Sequence, residues 1–172
     1  MSFEEFMGLI GIGCLVILAL IHIFSDDVWV LAPGVTFSDV VRAGVQWTLK
    51  KYKIPTGWKP VRIVASWKKK NFTNTVGFFR HSGNRTIHIY CYHPHHRKGD
   101  GVDVENLSNT IIEETVHSIQ IISPGDDRQY SKLHRQLGYD KNPFEIEAKK
   151  QAKNYTDDLA SFLKEAGLIV KK

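Results

Sequence analysis

Thr110-Ile111-Ile112-Glu113-Glu114-Thr115-Val116-His117-Ser118-Ile119-Gln120 is the stretch on which the reading of this chain turns. It sits inside a longer segment, from about Val104 to Ile122, with helical periodicity. Val104, Leu107, Ile111, Ile112, Val116 and Ile119 fall on one side, and Glu113, His117 and Gln120 on the other. Residues four apart on a helix lie one above the other, with Cβ atoms about 5–6 Å apart. Side chains 113 and 117 can therefore grip one metal ion. Glu114, one position on, can reach a water beside that ion and act as general base. The competing reading of such an i, i+4 acid–His pair is a solvated surface contact worth a few tenths of a kcal/mol.

Outward from this helix, the C-terminal side contains a second long helical pattern. Asn142-Pro143 is a good N-cap and first helical position, and Gly167 a natural stop after about Ala166. Phe144, Ala148, Tyr155, Leu159 and Phe162 form its apolar stripe. Glu145 borders that stripe, whereas Glu147 lies well off it. On the N-terminal side, Thr36-Phe37-Ser38-Asp39 reads as a capping box opening an amphipathic helix to about Tyr52. Val61 to Trp67, Thr75 to Arg80 and Thr86 to Tyr92 read as three strands of an antiparallel meander. No repeat or low-complexity segment interrupts this order.

The motif helix resembles that of the zincin metallopeptidases, H-E-x-x-H, at Glu114 and His117. Glu113 stands where the first His would be. Asn142-Pro143-Phe144-Glu145-Ile146-Glu147-Ala148 resembles the third-ligand helix, E-x-x-A, of the gluzincin branch. The resemblance spans about Val35 to Ala166. It implies an α+β zincin-like domain, metal ligands Glu113, His117 and Glu145, and Glu114 as catalytic base. Two carboxylates and one imidazole cancel the charge of a divalent zinc ion. A neighbouring water should then be less acidic, and preference should move from zinc towards manganese or iron. Peptide or protein substrates are implied if the site is active. An inactive binding domain is the alternative.

His93-Pro94-His95-His96-Arg97-Lys98-Gly99 is a second candidate, able to supply an imidazole. The preferred reading is an exposed loop that happens to be rich in His.

At the N-terminus, Phe6 to Phe24 contains no charged residue. As a helix its roughly 28 Å would match the hydrocarbon thickness of a bilayer. Glu4 and Glu5 precede it and no A-x-A-like site ends it, which argues against a cleaved signal peptide. The expected organisation is a transmembrane anchor over 1–25, a linker over 26–35 and the zincin-like domain over 36–172. Every Lys and Arg lies at or after Arg42, favouring a cytoplasmic domain on a single-pass membrane protein. Sequons at Asn71, Asn84, Asn106 and Asn154 would matter only in a secretory lumen. Without Glu4, Glu5, Asp26 and Asp27, 14 acidic residues face 23 basic ones, a charge of +9. That surface suits an anionic bilayer as partner, and makes a basic lipid-binding module a further alternative. Nucleic acid is disfavoured because no nucleic-acid motif accompanies the charge. Of the two cysteines, Cys14 lies in the expected anchor, so Cys91 has no disulfide partner in the remaining domain.

Overall fold

The computed structural model describes residues 27–52, 62–66, 77–80, 86–90, 93–121 and 125–172. The first described element is a strand, β1 (Trp29–Leu31), where the sequence predicts a linker. Helix α1 (Phe37–Lys51) follows. Its capping box forms as expected, with the Thr36 hydroxyl accepting from Asp39 N–H at 3.3 Å and Asp39 Oδ2 accepting from Thr36 N–H at 2.9 Å. Strands β2 (Arg62–Ser66), β3 (Gly77–Arg80) and β4 (Thr86–Tyr90) make one sheet. A 3-10 turn (Pro94–His96) and a two-rung hairpin, β5 (Arg97–Lys98) with β6 (Gly101–Val102), lead into α2 (Val104–Gln120). Two more helices, α3 (Asp126–Leu137) and α4 (Pro143–Glu165), precede the last strand, β7 (Ile169–Lys171).

The three-stranded sheet is not a meander. Its order is β2-β4-β3: β3 and β4 pair antiparallel, Phe79 opposite Ile87, but β2 lies parallel to β4, Ile63 opposite Ile87. The cause is burial. Ile87 and Ile89 on β4 are fully buried, so this strand takes the central place and is flanked on both edges. Sequence order alone puts neighbours side by side and misses that exchange.

Helix α2 is the centre of the molecule. Asp103 caps it, its side chain accepting from Asn106 N–H at 3.0 Å. The predicted apolar face of Leu107, Ile111, Ile112 and Val116 is buried, but so are Thr110, Glu114, Thr115, His117 and Ser118. The helix is enclosed on most sides by α4, α1, β3 and β4. Threonine and serine hydroxyls on it are satisfied locally: Thr115 donates to Ile111 O at 2.6 Å, and Ser118 to Thr115 O at 2.6 Å.

Helix α4 lies along α2. Asn142 Oδ1 accepts from Phe144 N–H at 3.1 Å, with Pro143 in the first turn, as the sequence predicts. Leu159, Leu163 and Ala152 are fully buried against α1 and α2. Each such leucine contributes about 1.5–3 kcal/mol by leaving water. Gly167, at φ 66°, turns the chain, and Leu168 N–H closes the helix end on Leu163 O at 3.1 Å. Strand β7 then pairs antiparallel with β1, Val170 opposite Val30. The predicted linker thus joins the two ends of the described chain.

The membrane assignment needs correction. The expected anchor, Phe6 to Phe24, lies outside the described residues. So does Trp67 to Phe72, the densest basic and aromatic stretch. Among the described residues no helix is long and apolar enough to cross a membrane. Helix α4, at 23 residues, has the length, but it carries Glu147, Lys149, Lys150, Lys153, Asp157 and Asp158. The expected transmembrane helix and the single-pass localisation with a cytoplasmic domain thus have no support among the described residues. The described chain is an α+β fold of four helices and small sheets.

Candidate metal centre

Three helices, α2, α3 and α4, and strand β3 meet at a cavity of about 570 Å³. From α2 come Asn109, Thr110, Glu113, Glu114 and His117, and from α4 comes Glu145. Glu113, His117 and Glu145 each offer one ligand atom, and these atoms lie within 4.8 Å of one another. They form a Glu-His-Glu group close enough to share one metal ion. The fourth candidate, Glu114, lines the same cavity from the next position on α2.

Each of the three has a partner behind it. His117 Nδ1 lies 3.0 Å from Gln120 Oε1. Gln120 Nε2 donates to Phe144 O at 3.1 Å, which fixes the amide with its oxygen towards the imidazole. Nδ1 therefore carries the proton, and Nε2 is left as the free donor atom. Glu145 Oε1 accepts from the Tyr130 hydroxyl. Its Oε2 has no hydrogen-bond partner and faces His117 Nε2 at 3.4 Å. Glu113 Oε1 lies 3.4 Å from the Tyr139 hydroxyl, a long contact.

Buried, unpartnered carboxylate oxygens are costly unless a cation or proton meets them. Glu145 is 1% exposed and Glu114 8%, and both have an Oε2 without a hydrogen-bond partner, that of Glu145 facing only the His117 imidazole. That is the observation by which the residues fit a divalent cation. Without one, charges compensate among themselves. Burial acts to lower the His117 pKa, but Glu145 and Glu114 outweigh it and hold the imidazole above its ordinary value. Burial acts to raise Glu145, but contacts from His117 and Tyr130 hold it below the usual carboxylate range. Burial raises Glu113, with His117 opposing. Glu114 is pushed up to about 8, chiefly by burial, although His117 and the Phe79 backbone N–H act to lower it.

That last contact explains a glycine. A Cβ on Gly77 would lie 2.9 Å from His88 O, 3.0 Å from Thr110 Cγ2 and 3.1 Å from Glu114 Cγ. Only a residue without a side chain lets β3 lie this close over Glu114.

The His-rich loop divides. His96 is fully buried, with Nδ1 2.9 Å from Tyr90 O and Nε2 3.0 Å from Thr110 Oγ1. A carbonyl can only accept, so Nδ1 carries the proton, and burial lowers the pKa to about 4. This imidazole pins the loop to α2, and with both nitrogens engaged it is no metal ligand. His95 is exposed and lines the cavity. His93 Nδ1 accepts from His95 N–H at 3.1 Å. The expectation of a wholly exposed loop holds for His95 and fails for His96.

Sequence reasoning missed Tyr130, Tyr139 and Gly77, and gave Gln120 no role. Gln120 shares the His117 face three residues on, and that spacing was the available signal.

No family model matches this chain, nor does any curated protein or solved structure. The identification as a zincin, peptidase or hydrolase thus has no support from known proteins. What stands is the Glu-His-Glu group itself.

Proposed function

We propose that this cavity is a divalent-metal centre held by Glu113, His117 and Glu145, and that it performs hydrolysis with Glu114 as general base. The observation carrying the reading is the convergence of the three ligand atoms within 4.8 Å beside a buried fourth carboxylate. When bound, a divalent cation supplies Lewis acidity to a water or carbonyl oxygen in the cavity. The chain's own residues do the rest. His117 offers Nε2 because Gln120 holds its other nitrogen. Glu145 offers Oε2 because Tyr130 holds Oε1. Glu114 takes a proton from water, and positive charge nearby brings its pKa down from about 8 towards the working range.

The finer reading is a zincin-like site with an altered ligand set. Two carboxylates to one imidazole favour manganese or iron relative to a two-histidine site. Peptide is the favoured substrate class. Strand β3, at the edge of its sheet among the described residues, presents Gly77, Phe78 and Phe79 to the cavity beside Glu114. An extended chain lying along that strand would pass beside Glu114.

The test is hydrolysis of a mixed peptide library by the full chain loaded with zinc(II), manganese(II) or iron(II). Cleavage with at least one metal is expected, abolished in Glu114→Gln while metal content is retained. A parent that binds metal but cleaves nothing would leave a binding site and remove the hydrolytic reading. Equal cleavage by Glu114→Gln would remove Glu114 as the base.

A further inference from the structure

Helix α3 buries none of its residues, yet it lines the cavity that holds the Glu-His-Glu group. Gly125, at φ 106°, begins it, and Gly138, at φ 77°, ends it. Neither glycine has a heavy atom within 4 Å of where a Cβ would lie. Their positive φ therefore serves the two chain turns and not a close approach. Acidic Asp126 and Asp127 sit in the first turn and basic His134 and Arg135 in the last, so local electrostatics favour the helix. Its inward contact is made by Tyr130. The ring stands edge-on to Phe144 at 5.8 Å and to His117 at 6.2 Å, and the hydroxyl donates to Glu145 Oε1. Ser131 lines the cavity beside it. Tyr139, just beyond the helix, reaches Glu113 Oε1 at 3.4 Å. One short segment, 130–139, thus touches both candidate carboxylate ligands.

We infer that Tyr130 is a positioning residue of the metal centre, and that docking of α3 and metal binding are linked through its bond to Glu145. This rests on the metal reading above. A free carboxylate can bind a cation through one oxygen or both. With Oε1 held by Tyr130, Glu145 presents Oε2 alone, on the side facing His117 Nε2. The hydroxyl so sets the coordination number and the orientation of the ligand. Removing a partner of this kind costs about 10–100-fold in metal affinity. The coupling is reciprocal: whatever factor docked α3 adds to metal affinity, the metal adds to the docking of α3. Packing of the ring alone would not produce this link, because Tyr130→Phe removes only the hydroxyl and keeps the contacts to Phe144 and His117.

The experiment uses the full chain and Tyr130→Phe. Zinc(II) affinity is measured by competition with a chromophoric chelator, the visible spectrum with cobalt(II) in place of zinc, and hydrogen exchange across 126–137 with and without zinc. Tyr130→Phe should bind zinc about ten-fold or more weakly, and it should also melt lower without metal, because buried Glu145 Oε1 loses its donor. Its cobalt spectrum should lose intensity, as Glu145 chelates through both oxygens and the coordination number rises. Zinc should slow exchange in α3 of the parent and have less effect in the variant. Equal affinity and an identical cobalt spectrum would overturn the inference while the metal centre stood. Weaker binding with an unchanged spectrum and equal protection of α3 would also overturn it, leaving a structural effect. A parent that binds neither ion would fail the metal reading, and this inference with it. Should Tyr130→Phe not fold, exchange in the parent decides: α3 indifferent to zinc overturns the link.

Discussion

Helices α2 and α4 and helix α3 serve one cavity under opposite physical conditions. The first two are held by packing: Leu107, Ile111, Ile112, Leu159 and Leu163 are fully buried, and Glu113, His117 and Glu145 project from that frame. Helix α3 has no buried residue and meets the site through a hydroxyl. The difference shows how the site can be stiff and adjustable together. Ligand positions are fixed by the core, whereas the orientation of one ligand depends on a segment held by little apolar burial.

Mutations can break this contrast. Leu159→Ala empties a fully buried position between α4 and its neighbours, and should cost about 2–5 kcal/mol in urea denaturation of the metal-free protein. A loss below about 1 kcal/mol there would mean that α4 is not part of the frame.

The next effect is in pH. Folded Glu114 keeps its proton to about 8, against an ordinary value of 4.5. Above about 4.5 the unfolded chain releases a proton that the folded protein retains. Metal-free stability should therefore fall with rising pH until about 8, where the folded protein releases it as well. Glu114→Gln should flatten that slope. An unchanged slope would place the pH dependence elsewhere.

Smaller again is the cap of α4. Asn142→Ala removes the acceptor for Phe144 N–H and should cost about 1 kcal/mol. Smallest is Leu137→Ala on α3, 44% exposed, expected within about 0.5 kcal/mol of the parent. If Leu137→Ala destabilised the protein as much as Leu159→Ala, α3 would belong to the core and the contrast would collapse.

The same contrast governed what the sequence made legible. Periodic apolar residues revealed α1, α2 and α4 to within about two residues, because burial is what wrote the period. The capping box at Thr36 and the Asn142-Pro143 start were visible for the same reason: each satisfies backbone groups locally. Glu145 was separable from Glu147 by helix phase, and it is the buried one of the two. Helix α3 was missed because it has no buried stripe to read; its only signals were two flanking glycines and acids leading bases. Strands β1 and β7, three residues each, are too short for a period, and their pairing is a contact across the whole chain. The parallel β2–β4 pairing was hidden because alternation marks a strand without naming its neighbours. Tyr130 and Tyr139 could not be tied to the site before α3 was placed.

The central claim is that Glu113, His117 and Glu145 hold one divalent cation. Equilibrium dialysis of the full chain against zinc(II) and manganese(II), beside Glu113→Ala and Glu145→Gln, tests it most directly. The account predicts about one ion per chain for the parent, and at least ten-fold weaker binding in both variants, each of which removes a charged donor. A parent that retains neither ion, or variants that bind as tightly as the parent, would contradict it.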